Sequence, residues 1–263
     1  MNKVFELFPG AKLGIAAFTL CLTAASLTAA PKPNSQPTLQ PVILGSAATF
    51  AVLAGTGVTN AGNSHTVING DLGLYPAAGT AITGFTGEND TSNCCGIVKG
   101  TIDDTGSGEP GTETTAAAHA VASLGIAIQD AKGRACPAGQ LIPCVLPSAE
   151  LGGHTFTPGV YNFKKVATLT VDVTLSGDGV YIFQLGALTV NPGGSVVLAG
   201  ATAANVFWVA TQATLGSTGA FAGTILSTTS VTFTAGAGGT ALTGRALAQT
   251  VVSFAGPDTV TLP

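Results

Sequence analysis

The sequence predicts an all-β protein with one long helix, its strands wound into a β-solenoid of triangular section. Three observations predict it. A short strand pattern that closes on glycine recurs near the C-terminus: Val-Thr-Leu-Ser before Gly177, Val-Val-Leu-Ala before Gly200, Gly-Ala-Phe-Ala before Gly223 and Thr-Ala-Leu-Thr before Gly244. These glycines lie 23, 23 and 21 residues apart, and a period in that range marks one supersecondary unit stacked on copies of itself. Each unit holds three strand-like stretches, which gives three sides per turn. A single alanine-rich stretch departs from the β pattern and carries helical spacing.

Composition sets the surface chemistry. Charged residues make up 8% of 263, against roughly 25% in ordinary globular chains. Glycine numbers 36 and mean hydropathy is +0.48. A soluble chain so poor in charge must cover itself with Thr, Ser, Ala, Gly and Asn. The net charge of -4 and the lack of a basic run speak against nucleic acid or an anionic membrane as partner.

Taken in chain order, residues 1–30 read as a secretory signal. Lys3 and Lys12 precede an apolar run at 13–27, and Thr28-Ala29-Ala30 supplies small residues for cleavage. The run is short for a spanning helix, so a secreted, extracellular mature chain is expected. Residues 31–41 hold four prolines and read as a linker. Residues 42–263 then form a single solenoid domain, with an inserted loop–helix–loop at about 85–151.

The early strands are Phe50-Ala-Val-Leu-Ala54, Thr56-Gly-Val-Thr-Asn60, Thr66-Val-Ile-Asn69 before Gly70, and Thr80-Ala-Ile-Thr83 before Gly84. The last two repeat the C-terminal pattern. Within the insertion, residues 88–111 are rich in Asp, Glu, Gly, Ser and Thr and read as loop. Residues 114–132 read as a helix, because alanine is the best helix former and Thr112, Thr114 or Thr115 can cap its start. Val121, Leu124 and Ile128 form its apolar stripe. Gly133-Arg134 ends it, and 136–147 is a proline-punctuated loop.

From Thr155 the repeat is continuous. First strands are apolar on both faces: Val160-Tyr-Asn-Phe163, Val180-Tyr-Ile-Phe183, Val206-Phe-Trp-Val209, Thr224-Ile-Leu-Ser227 and Arg245-Ala-Leu-Ala248. Such runs need a cover, and the helix is the obvious one. Second strands alternate, with Leu169, Leu188, Leu215, Phe233 and Phe254 on the axis, each worth about 1.5–3 kcal/mol when buried. Third strands are the pattern before glycine.

Cys21 leaves with the signal. Cys94, Cys95, Cys136 and Cys144 are disulfide candidates, and four cysteines allow three pairings. A local Cys136–Cys144 loop and a staple from the 94–95 couple to 136 and 144 both fit. Their spacing does not suit zinc. His65, His119 and His154 are scattered, no nucleophile or phosphate-loop motif is present, and Asp71, Asp103 and Asp104 read as solvated loop acids. Tyr161, Tyr181 and Trp208 read as core. The sequence therefore argues for a non-enzymatic protein without cofactor or metal. A polysaccharide-cleaving β-helix would need outward carboxylates that these strands lack.

Outward strand positions carry Thr and small residues coil after coil, without the charges that normally guard surface strands. Such an array of methyl and hydroxyl groups at rung spacing suits an ordered water lattice. The chain resembles the secreted microbial ice-binding proteins of the DUF3494 type. The residues that carry the likeness are Leu44-Gly-Ser-Ala-Ala-Thr-Phe-Ala-Val-Leu-Ala-Gly-Thr-Gly-Val-Thr-Asn60, Gly70-Asp-Leu-Gly73, Thr157-Pro-Gly-Val-Tyr161, Gly179-Val-Tyr-Ile-Phe-Gln184, Asn205-Val-Phe-Trp208, Gly223-Thr-Ile-Leu-Ser227 and Gly244-Arg-Ala-Leu-Ala248. The resemblance implies a discontinuous, right-handed triangular solenoid with a helix alongside, early coils packing out of chain order against late ones. It also implies ice contact through Thr-Ala/Gly-x-Thr/Asn motifs. Matching positions are Thr56-Gly-Val-Thr59, Thr80-Ala-Ile-Thr83 and Thr240-Ala-Leu-Thr243, with Thr66-Val-Ile-Asn69 differing at Val67; Val196-Val-Leu-Ala199 and Gly219-Ala-Phe-Ala222 lack threonine.

The expected ice-binding set is therefore Thr56, Thr59, Thr66, Asn69, Thr80, Thr83, Ser176, Thr240 and Thr243. A rival face is the Thr-x-Thr row of the second strands: Thr168, Thr170, Thr189, Thr214, Thr232, Thr234 and Ser253. The expected partner is an ice crystal surface, with no nucleic acid, no membrane in the mature form, and a monomeric state. A secreted adhesion or polysaccharide-binding module is the alternative.

Overall fold

Alternation of large inward and small outward residues lets successive strands stack in parallel, and the chain does this along three ladders. A computed structural model describes residues 39–61, 65–87, 95–104, 115–138, 140, 144–146, 149–217 and 219–263. All fall within the unit Gln36–Pro263. The expected signal, most of the expected linker, Thr112, Thr114 and Cys94 lie outside the described residues.

Ladder 1 runs through the starts of Gly159–Leu169, Tyr181–Val190 and Val206–Leu215, then the middle of Gly219–Phe233 and the end of Thr240–Ala248. It continues into Phe50–Ala54, Asp71–Leu74 and Ile102–Asp103. Ladder 2 follows from the ends of the first three strands and of Gly219–Phe233 into Val251–Phe254, Gly57–Asn60 and Ile82–Thr83. Ladder 3 starts as a separate three-stranded sheet, Thr155–Phe156, Val173–Ser176 and Val196–Ala199. It resumes with the starts of Gly219–Phe233 and Thr240–Ala248, then Thr259–Thr261, Val67–Asn69, Gly96–Val98 and Phe85–Gly87. In every ladder the early coils add onto the last C-terminal coil, so chain order is broken as the resemblance implies.

First and second strands are continuous in Gly159–Leu169, Tyr181–Val190 and Val206–Leu215, and Gly219–Phe233 serves all three ladders in 15 residues. Two strands arise where loop was expected: Gly96–Val98 and Ile102–Asp103 extend ladders 3 and 1. Their apolar residues are too few to stand out from the Asp- and Gly-rich stretch around them. The exposed edges of Val67–Asn69 and Asp71–Leu74 select them.

The interior holds an aromatic stack. Tyr161 and Phe183 lie 5.3 Å apart, and Phe183 and Trp208 4.2 Å apart at 10° between planes. Their polar ends are satisfied: Tyr161 donates to Thr157 O (2.6 Å), and Trp208 Nε1 donates to Ala222 O (2.9 Å). Tyr181 donates to Gly177 O at 2.8 Å, and burial pushes its phenol up to about 12.

The helix α1 (Ala116–Gly133) starts at Thr115, whose hydroxyl accepts from Ala118 N. Ala117, Ala120, Leu124, Ala127, Ile128 and Ala131 are buried against Phe50, Leu53, Ile182, Phe207, Val209 and Leu247, so α1 covers the outer face of ladder 1. Side chains of that face grip both helix ends. Asp103 Oδ1 accepts from Ala117 N at 3.0 Å, and Gln184 Nε2 donates to Ala131 O and Arg134 O at 2.8 Å each. Asp103 and Gln184 lie on one register row, Gln184–Val209–Leu226–Leu247–Leu53–Gly73–Asp103. The six rung spacings between them span about 29 Å, and 18 helical residues about 27 Å, so helix length matches the stretch between its two grips.

Cys136 and Cys144 form a disulfide with each other, so the staple from the 94–95 couple to both of them is not formed. Cys95 is disulfide-bonded as well. The closed loop caps the first C-terminal coil. Asn162 N donates to Cys144 O, and the Gln140 amide pairs with both backbone groups of Val160. A covered edge cannot recruit another strand.

Candidate functional site

Ladder 2 assembles an outward row from strands far apart in sequence. Thr168 pairs with Thr189, Thr189 with Thr214, Thr214 with Thr232, Thr232 with Ser253, Ser253 with Thr59, and Thr59 with Thr83. Seven hydroxyl side chains thus stand in register, about 4.8 Å from rung to rung. The period of two turns their neighbours Leu188, Ala213, Val231, Val252 and Val58 into the core, which is why these positions face out.

The row flanking it is Val166–Ala187 and, further along, Gln212–Ser230–Val251–Gly57. None of these carries charge. Thr170 and Thr234 border the other side, one exposed and one half-buried. Among the described residues, no protein partner holds the hydroxyl of Thr189, Thr214, Thr232, Ser253, Thr59 or Thr83. Thr168 differs: it donates to Glu150 Oε2 at 2.9 Å. Glu150 Oε1 accepts from Thr170 N (2.9 Å) and Gly152 N (2.8 Å). Burial pushes this carboxyl up, but hydrogen bonds from Thr170, Gly152 and Thr168 outweigh burial and hold it below the usual glutamate range.

The sequence-derived candidates separate into four groups. Thr59 and Thr83 join the Thr-x-Thr row, so the two rival faces share one ladder. Asn69, Ser176 and Thr243 lie on ladder 3. There Ser176 aligns with Ala199, and after the break between sheets Ala222, Thr243, Thr261 and Asn69 align. Asn69 Nδ2 donates to Thr261 Oγ1 at 2.8 Å, and Val197 is 42% exposed beside this row. Thr80 is exposed in a 3₁₀ turn, Gly79–Ala81.

The remaining three fasten coils. Thr66 is buried and its hydroxyl contacts Asn60 Oδ1 and Gly256 O, both at 2.9 Å. Thr240 is buried and donates to Gly216 O at 2.7 Å. Thr56 donates to Thr250 O at 3.1 Å. Glu150 was missed by sequence reasoning, because a lone acid 18 residues before Thr168 gives no hint that it reaches the same ladder. Among the described residues there is no cluster able to hold a metal ion, and no helix long and apolar enough to cross a membrane.

A sequence model of the family described as Ice-binding-like matches residues 52–260. The ice-binding protein of Flavobacterium frigoris (strain PS1) is 37% identical over 238 residues, covering 88% of this chain and 79% of that protein. That of Flammulina populicola is 34% identical over 218 residues, covering 81% and 85%. The crystal structure of the ice-binding protein of the Antarctic ascomycete Antarctomyces psychrotrophicus superposes with a TM-score of 0.68 at 28% identity, covering 85% of this chain and 99% of that one. The structure of LeIBP, an ice-binding protein from Arctic yeast with antifreeze activity, gives 0.69 at 30% identity, covering 85% and 94%.

Proposed function

Because this chain belongs to the Ice-binding-like family, we propose that it adsorbs to ice, and that it does so through ladder 2. The observation that carries the choice of face is the hydroxyl row Thr168–Thr189–Thr214–Thr232–Ser253–Thr59–Thr83, aligned in register and flanked by uncharged side chains. Each threonine presents a methyl group that restricts nearby water and a hydroxyl that hydrogen-bonds it. Each contact is weak. The backbone ladder sets their spacing in advance, and β-branched threonine is stiff at χ1, so little entropy is lost on binding. Adsorbed protein pins the growth front and blocks recrystallisation. The protein acts outside the cell, as a monomer and without catalysis.

Replacing Thr214 with tyrosine tests the face. A ring standing off the wall separates neighbouring rungs from ice along with its own, so thermal hysteresis is expected to fall roughly tenfold or more. Ala241→Tyr, on ladder 3, is expected to leave it intact. Circular dichroism checks that both variants keep the fold. Loss in the ladder 3 variant alone would move the site to ladder 3.

A further inference from the structure

Ladder 2 has one more outward rung than its hydroxyls. Glu150 forms a parallel bridge with Thr168, which places a carboxylate in register at the end of the row. Resting on the ladder 2 reading, we propose that Glu150 is the end stop of the ice-contacting surface, the residue that decides where contact with ice begins.

Two features of the geometry do this. The carboxylate is ionised, and an ion keeps its own water, which an ice lattice cannot replace with a counter-charge. Ice is therefore held off at this rung. Glu150 also accepts the hydrogen bond of the next hydroxyl: Thr168 Oγ1 donates to Oε2 at 2.9 Å, with Ala149 O a longer acceptor at 3.4 Å. Thr168 then offers outgoing water only an acceptor, whereas Thr189, Thr214, Thr232, Ser253, Thr59 and Thr83 keep both functions. Contact begins at Thr189 and covers six rungs. The stop also keeps ice away from the capping segment before it, where Thr168 N to Ala149 O and Leu151 N to Thr168 O are the backbone bonds to this ladder.

The test compares thermal hysteresis of the purified full chain with Glu150→Gln, Glu150→Gln combined with Thr168→Tyr, and Thr214→Tyr. Glutamine keeps the shape: its oxygen still accepts from Thr170 N and Gly152 N, and its amide now donates to Thr168, turning that hydroxyl outward. Glu150→Gln is expected to raise hysteresis by about a third, as six contacting rungs become eight, with circular dichroism showing the fold kept. Adding Thr168→Tyr to Glu150→Gln is expected to abolish the gain. Hysteresis that does not rise with a folded Glu150→Gln, or a gain that survives Thr168→Tyr, overturns the end stop. Thr214→Tyr separates the two claims. Its collapse with either of those results sinks the end stop alone, whereas its silence sinks the ladder 2 reading and the end stop together.

Discussion

Ladders 2 and 3 both draw on threonine-rich strand words, yet they present different surfaces. On ladder 2 the row runs unbroken through seven hydroxyls. On ladder 3 the sheet divides between Val196–Ala199 and the next coil, alanines replace hydroxyls in the middle, and Asn69 is bonded to Thr261. The reason is one of period. Side chains on a strand alternate with period two, so Thr-x-Thr shows both hydroxyls on one side. Thr-x-x-Thr cannot. Its first threonine turns to the corner or the interior and its fourth turns out, as Thr240 and Thr243 do. The first threonine fastens coils at Thr56, Thr66 and Thr240, whereas Thr80 is exposed in a 3₁₀ turn.

That contrast is open to direct tests, beyond the tyrosine variants. The largest effect on folding is expected where a hydroxyl is committed to the fold. Thr240→Val leaves Gly216 O without its buried donor and should lower unfolding free energy by about 1–3 kcal/mol, whereas Thr59→Val should change it by less than about 0.5 kcal/mol. Urea denaturation of both measures this, and equal losses would erase the distinction between fastening and water-facing threonines.

A smaller effect is expected at the third wall, which is sheathed by helix and unable to meet ice. Asp103→Ala removes a carboxylate from the first turn of α1 and should cost about 1 kcal/mol. Amide exchange should quicken at Ala117 and Ala118 while the ladder 2 amides stay protected. Faster exchange spread over ladder 2 would show that the helix sets the geometry of that wall too.

The smallest effect is a pH dependence with opposite signs on the two sides. Asp258, fully buried at the ladder 3 corner, has its carboxyl raised by burial against the bonds from Thr240, Gly256 and Ala255 N–H groups. Its folded value lies above the unfolded one, so its contribution is complete below about pH 3.9 and is lost as pH rises through the folded value. Glu150, at the end of ladder 2, is lowered, so its contribution is complete above about pH 4.3 and is lost as pH falls through the folded value. Against the native chain, Asp258→Asn should therefore gain relative stability with rising pH, and Glu150→Gln with falling pH. Urea midpoints measured from pH 3 to 6 read both slopes. Parallel curves for all three proteins would count against either assignment.

Much of this was legible in the chain itself. The glycine period located the coils, and Thr115 is one of the three threonines expected to cap the helix. Tyr161, Tyr181 and Trp208 are core, as their doubly apolar strands require. The strands Gly96–Val98 and Ile102–Asp103 were not legible, because two or three apolar residues between glycines and acids form strands only against an existing edge. The local loop closed by Cys136 and Cys144 was one of two open readings, and only proximity in the fold decided it.

The sequence by itself determined which side chains point in and which point out, because strand alternation is a property of the local backbone. It also determined where a helix would sit, through alanine content and its cap. Tertiary structure alone decided which coils are neighbours. Ser253 meets Thr59 although 194 residues separate them, and that junction joins the late hydroxyls to the early ones in a single row. Parallel pairing carries no local signal of partner or register, since it depends on two edges meeting after each has formed.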